Sequence, residues 1–393
     1  MQMIHQVAPL PAHAAAGGRV VSMGWIRSLA LAALLALPAP LPAEDGPEVV
    51  LYLVGDAGRK VSELSLVFTP LAADAARDGG RGVVAILGDN LYPAGLPAPR
   101  QPDRAEMEGR LEAQLAAARA AGRGIVVPGN HDWGRWTPDG WNAVRREEAF
   151  VIAHGGPTVA FAPSGGCPGP TVFDVGATVR LIALDTHWWL HEYEKPVGAS
   201  SPCPEKSEEE VVAALREALR TAGGRRTVVL AHHPLEAGGL SGSHFTWQDH
   251  LFPLTTFVPW LWLPMPVFGS LAVAGRIAFA NQQFETAPNY RNLKAAMARA
   301  FDPVPPLVWA AGHDHNLQVI RLPGEKRSWD LISGAGGGTK SVSPVRKIAD
   351  TVFCRSVPGY MRIVFERNSP ARLAVVATPA PGRTETIFAA PLD

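Results

Sequence analysis

The stretch GHDHNLQ, Gly312 to Gln318, sets two histidines around one aspartate directly after the apolar run PLVWAA. Alone, a His-x-His pair is a weak signal, as readily two surface histidines as two metal ligands. The same setting recurs along the chain. YLVGDAG ends in Asp56, AILGDNLY in Asp89 and Tyr92, VVPGNHD in Asn130 and His131, and VVLAHHP in His232 and His233. Each piece has a bland reading: Asp56 as a helix cap, Gly-Asp-Asn as a turn, Asn130 with His131 as a capping pair. Five such coincidences in chain order, each after a short apolar run, argue for one joint purpose. Carboxylates, an amide oxygen, imidazoles and a phenol are ligands for hard-to-borderline ions such as iron, manganese or zinc. One carboxylate can bridge two ions about 3.5–4 Å apart, a spacing that suits in-line displacement at phosphorus. Gly55, Gly88, Gly129 and Gly312 precede four of these residues, so a sharp backbone turn off each strand is expected there.

Side chains so far apart in sequence need a frame that gathers them. From Val49 onward, short apolar runs alternate with stretches of helical periodicity. VVLYLV precedes SELSLVFTPLAADAAR, GVVAIL precedes RAEMEGRLEAQLAAARA, and GIVV precedes GWNAVRREEAFVIA. VRLIALD, SEEEVVAALREALR, RTVVLA, NYRNLKAAMARAF and PLVWAA continue the alternation. Such a pattern predicts α/β architecture, with strands buried on both faces and helices outside. In open α/β sheets the crevice beyond the carboxyl ends of the strands binds ligands. The metal-ready residues all stand at such ends. After His315 the short runs LQVIRL, SWDLIS, GYMRIVFE, RLAVVAT and ETIFAA predict a second sheet, and GAGGGTKSVSP reads as a mobile loop without the context of a nucleotide-binding loop.

With 393 residues and 47% hydrophobic composition the chain can bury a sizeable core. Basic and acidic residues balance at 36 each, so no global field recruits nucleic acid, and anion binding must come from a local site. Residues 1–43 read as a secretory signal, with Met23 the better start: MGWIRSLALAALLALPAPLPA has one basic residue, an apolar core and small residues before EDG. An uncleaved anchor is the other reading. Cys167 and Cys203 lie in Pro/Gly/Ser-rich loops and either form a staple or stay, with Cys354, unpaired thiols. Leu251 to Ala280 carries one charge, Arg276, and four prolines, 253, 259, 264 and 266. These argue against a membrane span and leave a lid over the catalytic face, interfacial membrane contact or a dimer element. Phe252, Phe257, Trp260, Trp262 and Phe268 in that run must find cover of some kind.

The ordered motifs resemble those of the calcineurin-like metallophosphoesterases, and within them the purple acid phosphatases of the small, tartrate-resistant type. The superfamily's Asp-x-His is here Asp56-Ala57-Gly58, and the tyrosine three residues after the second aspartate, Tyr92 in GDNLY, is the purple acid phosphatase replacement. The resemblance covers about Val49 to Ser333. It implies a four-layer αββα sandwich of two mixed β-sheets flanked by helices, with a dinuclear site at the strand C-terminal ends; the chain itself reads as one domain from 44 to 393 with an apolar insertion at about 239–290, on which the resemblance is silent. It implies Asp56, Tyr92 and His315 on a first ion, Fe(III), with Asp89 bridging, and Asn130, His232 and His313 on a second, divalent Fe, Zn or Mn. His232 rather than His233 is the ligand by its distance from the proline. His131 would face substrate and assist the leaving group, and His244 in SGSHF is the nearest match for a further substrate histidine. The implied function is an exported, periplasmic or secreted, phosphomonoesterase in which a metal-held hydroxide attacks phosphorus. Phosphodiester or pyrophosphate hydrolysis and non-catalytic metal or phosphate binding are the alternatives. Small phosphate esters would be its partners, with peripheral membrane contact through 251–280 as a further option. His187 and His191, flanking Trp188 and Trp189, read as pocket lining or as an ordinary strand-end cluster, and Asp132, Trp133 and Trp136 as rim residues.

Overall fold

The computed structural model describes residues 48–242, 245, 247–256, 260–278, 284–324 and 327–393. The expected signal at 1–43, His244 and Phe257 lie outside the described residues. The first half alternates β1 (Val49–Val54), α1 (Val61–Arg77), β2 (Gly82–Leu87), α2 (Arg104–Ala121), β3 (Gly124–Val127), α3 (Gly140–His154) and β4 (Val159–Phe161). A hairpin follows, β5 (Thr171–Val175) with β6 (Val179–Ala183), then α4 (His187–Leu190), α5 (Glu208–Arg220) and β7 (Arg226–Leu230). Helices α6 (Trp247–Leu251), α7 (Pro266–Ala278) and α8 (Pro288–Phe301) lead to β8 (Val308–Ala311). The last six strands are β9 (Leu317–Arg321), β10 (Trp329–Ser333), β11 (Thr351–Arg355), β12 (Gly359–Phe365), β13 (Arg372–Ala380) and β14 (Arg383–Pro391).

Two mixed sheets result, in the orders β14-β13-β12-β1-β2-β3-β4 and β11-β9-β10-β8-β7-β6-β5. β1 to β4 run parallel in the first, and β6, β7, β8 and β10 in the second. β1 and β2 are buried along their whole length, because apolar side chains on both faces leave neither face for water. Leu51, Leu53, Val83 and Leu87 meet Leu181, Leu230, Ala310 and Leu331 between the sheets. α1, α2 and α3 cover the outer face of the first sheet through Leu64, Leu71, Leu111, Leu115 and Val144, over Val50, Tyr52, Val84 and Val126. α5 and α8 cover the second through Val211, Leu215, Leu293 and Met297, over Ile182, Val229 and Trp309. The architecture is therefore the four-layer αββα sandwich.

Local chemistry sets the ends of the covering helices. α5 starts at Ser207, whose Oγ accepts the Glu210 N–H at 3.2 Å, with three glutamates in the first turn opposing the helix dipole. α2 ends at Gly122, in the left-handed region at φ 85°. Among the described residues, no helix is long and apolar enough to cross a membrane.

Two expectations are corrected. The strands after His315 do not form a sheet of their own. β9 to β11 extend the second sheet, while β12 pairs antiparallel with β1 and carries β13 and β14 onto the first. β1 has apolar faces and an edge that needs a partner, which β12 supplies. GAGGGTKSVSP is not a free loop, because Gly334 to Gly338 are buried, Gly336 N–H donates to Gly55 O at 3.0 Å, and Gly334 N–H donates to Asn316 O at 3.1 Å. The apolar insertion carries regular structure of its own. α6, a short 3-10 turn at Pro253–Thr256 and α7 pack mainly on one another, with Phe252 against Trp247 and Trp262.

Candidate metal centre

Strand ends bring the chemistry together. β1 delivers Asp56, β2 delivers Asp89 and Tyr92, β3 delivers Asn130 and His131, β7 delivers His232, and β8 delivers His313 and His315. Asp56, Asp89 and His313 sit in the left-handed backbone region at φ 58°, 52° and 69°. Of the preceding glycines only Gly88 shares this region, at φ 80°, so at Asp56 and His313 the ligand residue itself carries the turn. Non-glycine residues hold such angles at a cost of about 1–3 kcal/mol and do so mostly at functional sites. Gly312 serves by leaving space, since a Cβ there would lie 2.6 Å from Asp56 Oδ2, and Gly334 approaches the same oxygen as closely.

Two donor groups form. In the first, Tyr92 Oη lies 3.0 Å from Asp56 Oδ1 and 2.9 Å from His315 Nε2, and that nitrogen is 3.4 Å from Asp56 Oδ1. In the second, Asn130 Oδ1 lies 3.0 Å from His232 Nε2 and 3.1 Å from His313 Nδ1, with the two imidazole nitrogens 3.3 Å apart. Asp89 stands between them. Its Oδ1 is 3.3 Å from His232 Nε2, and its oxygens gather with those of Asp56 and the His315 nitrogen within 4.8 Å.

The hydrogen bonding shows that the donors fit cations. His232 Nδ1 lies 2.8 Å from Leu87 O and His315 Nδ1 lies 2.8 Å from Ser341 O. A carbonyl only accepts, so each Nδ1 carries a hydrogen and each ring turns its Nε2 into the site. There His232 Nε2 meets Asn130 Oδ1, and His315 Nε2 meets Asp56. Asp56 and Asp89 are almost fully buried, and among the described residues their ion-pair partners are only these histidines and His131. Buried carboxylates without lysine or arginine are stabilised by metals.

The electrostatics agree. Burial alone would raise the Asp89 pKa, but His232, His131 and His313, with the His131 N–H, hold its carboxyl well below the usual range. Burial, Asp56 and Asp89 push the Tyr92 phenol well up, so it stays neutral unless a cation offsets those charges. Burial would lower His315, but the Asp56 carboxylate raises it.

His131 occupies a different place. Its N–H donates to Asp89 Oδ1 at 2.9 Å, its Nδ1 lies 2.5 Å from Pro93 O, and its Nε2 is 3.8 Å from Asp89 Oδ2. The ring stands edge-on to Tyr92 at 4.4 Å, and burial lowers its pKa. It lines a cleft of about 230 Å³ with Asp89, Asn130, His313, His315 and Leu240. A larger cavity of about 740 Å³, beside Lys294 and Phe301, contains none of this chemistry.

Proximity alone does not separate His232 from His233, since both gather with His313 within 4.8 Å. Their partners do: His233 Nδ1 lies 2.8 Å from Thr186 Oγ1, while His232 Nε2 meets the amide oxygen. His187 and His191 are buried and do not line the cleft. A supporting layer escaped the sequence reading. Asp132 accepts N–H bonds from Gly129, Asn90 and Leu91 at 2.7, 3.2 and 3.1 Å, so it ties the β2 and β3 ends together. Asn90 Nδ2 donates to Val127 O and to Glu147 Oε1 at 3.0 and 2.9 Å. Asn90 lay in view inside GDNLY, but nothing in the periodicity of α3 singles out Glu147.

No protein-family model matches this chain, and comparison with curated proteins gives no match. Solved structures do match. PPD1, a purple acid phosphatase from yellow lupin (Lupinus luteus) seeds, aligns over 88% of this chain at 12% identity and a TM-score of 0.52. The two chains share a fold. This chain spans 54% of the length of the lupin chain. GAP50, the anchor in the inner membrane complex of Plasmodium, aligns over 88% of both chains at 16% identity and a TM-score of 0.50.

Proposed function

We propose that the protein is a two-metal phosphoric ester hydrolase acting first on phosphomonoesters. The observation that carries this reading is the pair of converging donor groups flanking Asp89, with His131 at the mouth of the same cleft. GAP50, the anchor in the inner membrane complex of Plasmodium, has a similar fold, so fold does not separate enzyme from scaffold. The donors do, because a scaffold needs neither seven convergent ligands nor a histidine beside them.

Asp56, Tyr92 and His315 would hold one ion, Asn130, His232 and His313 the other, with Asp89 shared. Bound there, the ions neutralise phosphate oxygens and acidify the attacking water. The chain supplies the rest. The Leu87 and Ser341 carbonyls fix the tautomers of His232 and His315. The His131 N–H anchors Asp89, and the Pro93 carbonyl turns the His131 Nε2 into the cleft, where it can hold a proton for the leaving alkoxide. Tyr92 in the first group favours Fe(III), with a divalent Fe, Zn or Mn in the second. A signal-like segment before Ala43 and the Cys167–Cys203 disulfide support export to an oxidising compartment.

The test is metal analysis of the purified protein with turnover of p-nitrophenyl phosphate, bis(p-nitrophenyl) phosphate and pyrophosphate. Two ions per chain and a preference for the monoester are expected. A faster diester or pyrophosphate would shift the substrate class on the same site, and no turnover by protein holding two ions would leave only metal binding. Iron loading should give a visible absorption band that Tyr92→Phe removes; absence of that band in iron-loaded protein rejects a phenolate–iron pair.

A further inference from the structure

The insertion between β7 and α8 leaves its apolar side chains outside. Trp247, Trp260, Trp262, Val267, Phe268 and Leu271 are 55–77% exposed. Among the α7 side chains described, 266–275, a narrow stripe of Gly269 and Val273 is buried, and Gly269 passes close to the His250 carbonyl. Around the remaining circumference, Val267, Phe268, Leu271, Ala272 and Ala274 stand open. From Leu251 to Gly275 the sequence has no Asp, Glu, Lys or Arg.

We propose that this face docks on a lipid bilayer and brings the metal cleft to phosphate monoesters of lipid alcohols at the membrane surface. The substrate half rests on the phosphatase reading above. A protein partner covers one side of a helix and needs a polar rim with hydrogen bonds, whereas a helix apolar on nearly every side suits a medium that surrounds it. The lack of charge complements hydrocarbon rather than a charged headgroup layer, and tryptophans are the side chains preferred where hydrocarbon meets water. At 13 residues, α7 is about 20 Å long, short of the roughly 30 Å needed to span. It therefore lies in the surface. Leu240 and Phe284, beside the residues where the insertion leaves and rejoins the fold, line the metal cleft with Ser241. A docked insertion thus places the cleft mouth at the bilayer. There water's oxygen bonds to phosphorus, the bond from phosphorus to the lipid oxygen breaks, and a proton passes to that oxygen, giving phosphate and the lipid alcohol.

The full chain and its Phe268→Asp/Leu271→Asp variant are compared, so that the N-terminal apolar run is common to both. The wild type should sediment with phosphatidylcholine vesicles, equally in low and high salt, because binding without charge is not screened. The variant should lose at least about tenfold of that partition, keep p-nitrophenyl phosphate turnover, and lose turnover of phosphatidic acid held in the vesicles. Quenching of wild-type tryptophan fluorescence by brominated acyl chains reads insertion without any variant. Wild type that stays in solution unquenched overturns the proposal, as does a dimer that the variant abolishes while vesicles bind neither protein. Vesicle binding by protein that hydrolyses no ester sinks the phosphatase reading alone. Equal phosphatidic acid turnover by both proteins, with p-nitrophenyl phosphate hydrolysed, sinks the substrate class.

Discussion

Asp89 and His131 share a hydrogen bond, yet their replacements should fail differently. Asp89 stands between both donor groups, so Asp89→Ala removes a ligand from each and should lower metal content together with activity. His131 contributes its backbone N–H to Asp89, which any residue keeps, and only its ring to the cleft. His131→Ala should therefore retain both ions by elemental analysis and lose about 10²–10⁴ in turnover, the range for a lost general acid. Full turnover of His131→Ala on esters with poor leaving groups would remove it from proton transfer. Gly312 is a further single-residue test. A methyl group there would press on Asp56 Oδ2 at 2.6 Å. Overpacking of this kind costs about 1–3 kcal/mol, so Gly312→Ala should melt earlier and bind the first ion more weakly, while Gly109→Ala, an exposed site within α2 where a Cβ meets nothing, should melt no earlier and bind the ion as before.

At the scale of elements, the ends of β2 and β3 are held by a buried carboxyl pair. Burial raises the Glu147 pKa to about 7 and pushes Asp132 well above the carboxylate range. In the unfolded chain Glu147 releases its proton near its ordinary value of 4.5. Between that value and about 7 the folded state binds more protons than the unfolded one, so stability falls as pH rises across this window. Below it both states are protonated, and the stability is fully present. The slope is roughly 1 kcal/mol per pH unit for one group. Thermal unfolding should therefore move to higher temperature from neutral to acidic pH. Glu147→Gln keeps an acceptor for Asn90 and a donor toward Asp132, and should flatten that part of the profile. An unchanged profile in the variant would assign the dependence to other groups.

For the whole molecule, the Cys167–Cys203 disulfide closes a 36-residue loop and leaves Cys354 free. This loop contains the β5–β6 hairpin and α4, whose Asp185 carboxylate accepts the Trp133 indole N–H at 2.8 Å, so the staple lies on elements that buttress β3. Reduction should destabilise the protein by about 2–4 kcal/mol. The predicted signature is a lower unfolding midpoint in reductant, reproduced by Cys167→Ser without reductant, while Cys354→Ser without reductant keeps the wild-type midpoint and still loses it in reductant. A reductant effect that persists in Cys167→Ser would place the sensitivity elsewhere.

Much of this was legible before folding. The periodicity of 2 and 3.6 gave β1 to β3, α1 to α3, α5, α8 and the α/β class, because burial on one or both faces constrains which side chains a strand or helix can carry. The seven donors were legible because metal chemistry admits few residue types, and each followed an apolar run. Short strands without a strong pattern, β4 (VAF), β5 (TVFDV) and β11 (TVFCR), were not legible. Nor was the partnering of β12 with β1, since which edges pair depends on residues about 300 apart meeting in space. The left-handed backbone at Asp56, Asp89 and His313 belongs to the same class, as strain held by surrounding contacts leaves no mark on residue type. Local sequence could propose the ligands, His232 among them by its distance from the proline; the hydrogen bonds that orient them, the buried glycines against Asp56 and the outward face of α7 arise from long-range packing, which no local pattern encodes.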